Sequence, residues 1–231
     1  TLSITSCNTT STYYKTHVVA GDFIDNEYIS PMNTIVTLRM FDDKEYNEVV
    51  GGFDNIVKTL SKEMDRYHIY DNINNIKTIN DSCGSNEYID VSNDLIEMLE
   101  LGISLTKLTK GKFNIAMGDL IDLYSDKFQE DCLSFNTLPD GDLVQSAVKS
   151  IPSYKNIDNI IEIDKENNKV RLNKYNDNNV VISLGGIAKG FVMEKAFNYL
   201  KTFNYPCLID AGSSTMATLG NNPTKKDRKW T

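Results

Sequence analysis

The stretch VVISLGGIAKGFVMEKAFNYL, residues 180–200, passes from an apolar run through Gly185, Gly186 and Lys189 into a helical pattern. The first part, residues 179–184, reads as a strand. The last reads as a helix, with Val192, Ala196, Tyr199, Leu200 and Phe203 on one face. A helix start leaves backbone N–H groups unpaired and carries partial positive charge. Glycines that admit a ligand closely, with a lysine nearby, therefore suit a phosphate. The spacing is neither that of a Walker A loop nor that of G-x-G-x-x-G. On spacing alone, Gly185 and Gly186 can equally serve as a tight turn, with Lys189 a solvated helix residue.

Working outward, residues 157–164 and 169–172 read as strands joined in a hairpin across Glu166, Asn167 and Asn168, and residues 207–209 and 215–219 as two short strands. Nearer the N-terminus, residues 34–41 are rich in β-branched and large apolar side chains and read as a strand. A helix follows, carried by Val49, Phe53, Ile56, Leu60 and Met64 and weakened by Gly51 and Gly52. Residues 71–85 form an Asn-rich loop. Ser92 caps a second helix striped by Leu95, Leu99, Gly102, Ile103 and Thr106, which Lys110 and Gly111 stop. With no internal repeat and no linker, this order predicts an α+β fold with mixed β-sheets and packed helices rather than a regular βαβ series.

The 231 residues, 40% hydrophobic, are enough for one sizeable core, and a single domain is expected. The 24 basic against 32 acidic residues give a formal charge of −8, which disfavours a nucleic-acid surface but permits one phosphorylated small molecule. No run approaches the roughly 20 apolar residues of a membrane span. Cys83, Cys132 and Cys207 are widely spaced, and His17 and His68 are not placed to share a metal. Asp210 can serve acid–base chemistry or pin a turn. The basic run at residues 225–229 can meet a phosphate or membrane surface, or be a hairpin loop. The chain begins at Thr1 rather than methionine, and Leu2-Ser3-Ile4-Thr5-Ser6-Cys7 reads as a lipoprotein cleavage site with Cys7 lipidated, or as a loose terminus with an incidental cysteine. Residues 1–20 are accordingly expected to be a signal remnant and flexible tether, and residues 21–231 the functional domain.

Leu184-Gly-Gly-Ile-Ala-Lys-Gly-Phe191 closely resembles the Leu-Gly-Gly-Ile-Ala-Lys-Gly-Tyr segment of the ApbE-like family, the FAD:protein FMN transferases. Met32-Asn33-Thr34 resembles that family's Met-Gly-Thr. Tyr70 with Ile76, Ile79 and Asn80 resembles its Ser-x-Tyr…Ile-x-x-Leu-Asn. Residues 109–115 with Gly118, Leu120, Asp122, Leu123 and Tyr124 resemble its Thr-x-Gly-Ala-Phe-Asp-x-Thr…Gly-x-Leu…Leu-Trp. Asp210-Ala211-Gly212 stands where the family has Asn-Ala-Gly, and residues 219–223 lead to Trp230 as in the family.

The resemblance implies a T-fold-like domain in which FAD binds with Mg2+ on its pyrophosphate. A Ser or Thr hydroxyl of an acceptor flavoprotein attacks the FMN-side phosphorus, and AMP leaves. It implies flavin-nucleotide contacts at Met32 and Tyr70, a site lined by Lys112, Phe113 and Asn114, FAD contacts at Ser183 and Lys189, and the Gly186 carbonyl as a magnesium ligand. It also implies an exported bacterial lipoprotein anchored through Cys7 to the outer face of the cell membrane. Asn114 and Ser183 each replace a usual aspartate, Lys112 replaces alanine, and the family continues past Thr231 with a histidine and further magnesium ligands, an Asp and a Thr among them. A FAD- or nucleotide-binding lipoprotein without transfer activity is therefore the alternative, and a fragment capable of neither is the third possibility.

Overall fold

The computed structural model describes residues 14–24, 26–42, 44–130 and 138–222, with the backbone alone for residues 126–130. Cys7, Cys132, the basic run at 225–229 and Trp230 lie outside the described residues. In chain order the elements are β1 (Lys15–Val18), β2 (Asp22–Ile24), β3 (Glu27–Ile29), a 3-10 turn (Pro31–Asn33), β4 (Val36–Met40), α1 (Tyr46–Glu63), α2 (Ile76–Asp81), β5 (Ile89–Asp90), α3 (Asn93–Leu108), α4 (Gly118–Glu130) and α5 (Gly141–Ser150). There follow α6 (Ile157–Ile160), β6 (Ile161–Asp164), β7 (Lys169–Leu172), α7 (Ala188–Lys201), β8 (Cys207–Ala211) and β9 (Thr215–Leu219). The expected α+β class holds. Every pairing between these strands is antiparallel, where the sequence order pointed to mixed sheets. The chain clusters into two compact units: a continuous one, Thr59–Phe191, and a discontinuous one made from the residues on either side.

In the discontinuous unit the sheet order is β1-β4-β8-β9. Alternation along β4 places Val36, Leu38 and Met40 on one face, directly opposite Ala211, Ile209 and Cys207 of β8, and all six are buried. Val49, Phe53 and Val57 of α1 and Val192, Ala196 and Leu200 of α7 are also buried in this unit. Each such large side chain contributes about 1.5–3 kcal/mol on burial. His17 of β1 meets Asp54 of α1 at 2.6 Å. Residues 15–18, expected within the tether, thus form an edge strand, because their backbone finds the free side of β4.

The continuous unit carries a second sheet, β5-β7-β6, whose β6–β7 hairpin turns through Asn168 with φ 52° as the sequence predicts. Ser92 caps α3 by accepting the Leu95 N–H at 3.0 Å, and Leu95, Leu99, Gly102, Ile103 and Thr106 are buried along one stripe. Three expectations change here. Residues 71–85 are not all loop, because Asn75 starts α2 with a reciprocal capping box to Thr78 and is itself fully buried. Residues 157–160 are helical rather than extended, since Ile157 and Ile160, one turn apart, are both buried. Residues 179–184 join no sheet, because no strand among the described residues lies alongside them. Periodicity also leaves residues 118–150 unassigned, where α4 and α5 lie.

The two helix glycines of α1 differ. A Cβ at Gly51 meets nothing within 4 Å, whereas one at Gly52 would lie 2.0 Å from the Tyr199 hydroxyl, which donates to the Glu48 carbonyl. Urea unfolding is expected to show Gly51→Ala stabilising by up to about 1 kcal/mol. Gly52→Ala is expected to destabilise by about 1–3 kcal/mol, and equal effects would refute the close approach.

Glu63, at the end of α1, is buried with Oε2 unbonded. Burial lifts its carboxyl above the ordinary 4.5, opposed by a hydrogen bond with Ser92 and helped by the charge of Asp94. The folded state therefore binds this proton more tightly than the unfolded chain does. The contribution of Glu63 to stability falls as pH rises from 4.5. Glu63→Gln is expected to raise the urea midpoint near neutral pH and to flatten this part of the pH dependence; a parallel pH profile in the two proteins would contradict it.

Candidate functional site

The glycine turn belongs to the continuous unit, and its position follows from the extended segment before it. Val180, Ile182 and Leu184 are buried, so this backbone cannot look to water for its hydrogen bonds. No strand lies alongside. Instead Val180 N–H reaches Cys83 Sγ at 3.3 Å, Gly118 N–H donates to the Val181 carbonyl at 2.9 Å, and Ser183 N–H donates to the Ile115 carbonyl at 2.8 Å. The side chain of Asn80 takes both main-chain groups of Ile182. The segment looks like a strand in sequence because it is apolar and extended. It is not one, because its partners are side chains and loop atoms.

Residues 185–187 turn the chain, and Ile187 and Ala188 N–H groups close back on the Leu184 carbonyl. Gly185 and Gly186 are exposed, and their N–H groups find no protein acceptor among the described residues. A Cβ at Gly186 would lie 3.0 Å from Phe113 Cε2, so the glycine lets the Phe113 ring pack on the turn. Ser183 is buried, with Oγ 3.9 Å from the Cβ position of Gly185. Lys189 is half-buried in the first turn of α7.

The loop that brings Phe113 here is fixed by polar side chains turned onto main chain. Lys110 and Gly111 end α3 in left-handed conformation, with Gly111 N–H bonded to the Thr106 carbonyl at 2.8 Å. Thr109 Oγ1 accepts the Phe113 N–H at 3.0 Å, and fully buried Thr106 accepts that of Ile115 at 3.3 Å. Asn114 is buried; its amide donates to the Pro152 carbonyl at 3.0 Å and its oxygen accepts the Ala116 N–H at 2.9 Å. This side chain braces the loop, and an ionised aspartate there would lack the donor that Pro152 requires. Lys112 is exposed.

Tyr70 belongs to a different network. Its hydroxyl donates to Asp65 Oδ2 at 2.7 Å, and His68 Nδ1 lies 2.8 Å from the same oxygen. Asp65 Oδ1 accepts the N–H groups of Tyr67 and His68. One carboxylate thus holds residues 65–70 in place, a role that the sequence does not announce. Arg66 next to it pairs with Asp122. Among the described residues no three His, Cys, Asp or Glu side chains form a group able to hold a metal. Magnesium commonly takes one or two protein oxygens together with substrate phosphates and water, and the Gly186 carbonyl is the protein oxygen that the resemblance assigns to it. A polar cleft of about 570 Å3, lined by Asp119, Asp122, Ser150, Lys174 and Asp177 among others, contains none of the expected site residues.

Met32 lies in the discontinuous unit. Both Met32 and Asn33 have left-handed backbone, φ 54° and 52°, inside the 3-10 turn. For methionine that conformation costs about 1–2 kcal/mol. Asparagine accommodates it more readily, which fits Asn33 in the place of the family's glycine. Beside this turn lies the β8–β9 turn: Gly212 N–H bonds the Ile35 carbonyl at 3.0 Å, and a Cβ at Gly212 would sit 2.0 Å from Thr34 Oγ1. Two motifs far apart in sequence are thus adjacent. Asp210 accepts the Ser213 N–H at 2.7 Å and so pins that turn.

Among the solved structures to which this fold is similar are three proteins named ApbE. The ApbE protein of Thermotoga maritima is 22% identical with a TM-score of 0.68, over 92% of this chain and 61% of that one. The flavin transferase ApbE of Vibrio cholerae is 15% identical with a TM-score of 0.63, over 91% and 61%. The flavinyl transferase ApbE of Pseudomonas stutzeri, in its apo form, is 13% identical with a TM-score of 0.64, over 91% and 59%. The chain spans about 60% of the length of these structures, and at such identity the likeness is one of fold. No curated protein matches the sequence. The model of the ApbE family matches residues 32–231, nearly the whole of the sequence, and the chain therefore belongs to the ApbE family.

Proposed function

We propose that the protein is a flavin transferase that moves the FMN moiety of FAD onto a Ser or Thr hydroxyl of an acceptor flavoprotein. The acceptor oxygen bonds to the FMN-side phosphorus, the bridging phosphorus–oxygen bond breaks, and the bridging oxygen leaves with AMP. The hydroxyl proton is given up on the way. The observation that carries this reading is the turn at Gly185 and Gly186, whose exposed N–H groups lack protein acceptors at the start of α7, with Lys189 in its first turn. Such a turn suits a pyrophosphate, whose charge needs oriented donors and a cation. The Phe113 ring packs close to Gly186, and in this proposal that contact helps to hold the donors in place.

Magnesium in this proposal rests on the family resemblance. The described residues offer the Gly186 carbonyl and no carboxylate cluster, so the ion would arrive held mainly by the pyrophosphate and water. Anchoring through a lipid on Cys7, at the extracytoplasmic face of a bacterial membrane, belongs to the same proposal; no helix among the described residues is long and apolar enough to cross a bilayer. Asn114 and Ser183 in place of the usual aspartates, with Asn114 serving as a brace, favour the second reading, a FAD- or nucleotide-binding lipoprotein without transfer activity.

Incubation with FAD, magnesium and a carrier domain bearing an acceptor threonine is expected to yield covalently fluorescent carrier and an equivalent of AMP. FAD bound with neither product would leave the second reading in possession. Lys189→Ala is expected to weaken FAD binding about ten- to a hundredfold, the scale of one charge-assisted hydrogen bond, and unchanged affinity would return Lys189 to a solvated helix residue.

A further inference from the structure

Asn80 lies in a motif that the proposed chemistry leaves without a role. It sits on α2 and reaches across 102 residues of sequence to Ile182, three positions before the glycine turn. Its Nδ2 donates to the Ile182 carbonyl at 3.0 Å and its Oδ1 accepts the Ile182 N–H at 2.8 Å. Ile182 is fully buried, so nothing but protein can meet these two groups. A carboxamide has the donor and acceptor of a peptide unit, and here one side chain stands in for a neighbouring strand. Its platform is rigid: Asn75 caps α2 and donates from Nδ2 to the Lys62 and His68 carbonyls at 3.1 and 2.8 Å. The ionisable residues of α2, Lys77 and Asp81, pair with each other at 2.6 Å, and the nearby Cys83 thiol takes the Val180 N–H.

We infer that Asn80 is a positioning residue for the anion-binding turn. Without touching the ligand, it fixes Ile182 and through it the path of residues 183–186. The inference rests on the proposed FAD site, and it separates from a purely structural role through pH. Aspartate at position 80 can accept the Ile182 N–H at any pH but can donate to the carbonyl only when protonated.

The test compares wild type, Asn80→Asp and Asn80→Ala. FAD affinity is followed by flavin fluorescence between about pH 5 and pH 8, a range that spans the protonation of a buried carboxyl. The amide NMR shifts of Gly185 and Gly186 are followed in the ligand-free proteins over the same range. Relative to wild type at each pH, Asn80→Ala is expected to bind about tenfold or more weakly throughout, the scale of two buried main-chain groups left unpaired. Asn80→Asp should match Asn80→Ala at the upper end and return towards wild type at the lower, in affinity and in glycine shifts alike. Wild-type affinity and shifts in both folded variants would overturn the inference, as would an Asn80→Asp profile with no recovery on acidification. If Asn80→Ala does not fold, the Asn80→Asp profile decides alone. If wild type itself binds no FAD, the flavin reading fails, and the glycine shifts still decide the role of Asn80.

Discussion

A buried backbone must have its hydrogen bonds made, and residues 180–184 have no strand beside them to make them. The rest of the continuous unit is arranged around that constraint. α2 delivers Asn80, the end of the 109–118 loop delivers the Ile115 carbonyl and the Gly118 N–H, and Cys83 supplies a sulfur acceptor. Each partner must itself be held, and the holding is again done by polar side chains on main chain: Asn75 for α2, and Thr106, Thr109 and Asn114 for the loop. The glycine turn inherits its position from this chain of dependence. Removing one member leaves a buried donor or acceptor bare, which is costlier than the modest net value of the bond it breaks.

The discontinuous unit solves a different problem. Its strands satisfy one another, so the side chains are free to form an apolar face, and two of its turns, adjacent to each other, combine left-handed backbone with a close approach. Met32 and Asn33 are left-handed, and Gly212 approaches Thr34 more closely than any side chain would permit. Strain at a non-glycine residue persists only where its surroundings impose it, and here those surroundings include the second turn.

What the sequence discloses follows from how local the cause is. The Ser92 cap, the α3 stripe, the Asn168 hairpin and the strands of β4, β8 and β9 rest on nearest-neighbour chemistry, and they appear as expected. The segment before the glycine turn was misleading because apolar alternation reports burial, whereas a strand also requires a neighbour. α2 was hidden among asparagines, although Asn75 and Thr78 three residues on are a legible start signal. Asn114 and Asn80 illustrate a deeper limit: the resemblance reads Asn114 as a binding-site position and gives Asn80 no role, yet each makes a bond to main chain distant in sequence. Asp65 gave no signal, since a carboxylate saturated by its own loop looks like any surface aspartate.

The pairing of β4 with β8 carries a consequence for biosynthesis. The continuous unit is complete once Phe191 has been made, while β4 waits for a partner that begins at Cys207. Emerging from the ribosome in order, the chain finishes its middle before its beginning. Until then the apolar row of Val36, Leu38 and Met40 has only local neighbours, and long-range pairing of this kind is slow and exposes strand edges to other chains. A nascent chain stalled in that interval would carry a finished glycine turn and an unfinished sheet, with β4 of the discontinuous unit still lacking its cross-strand partner.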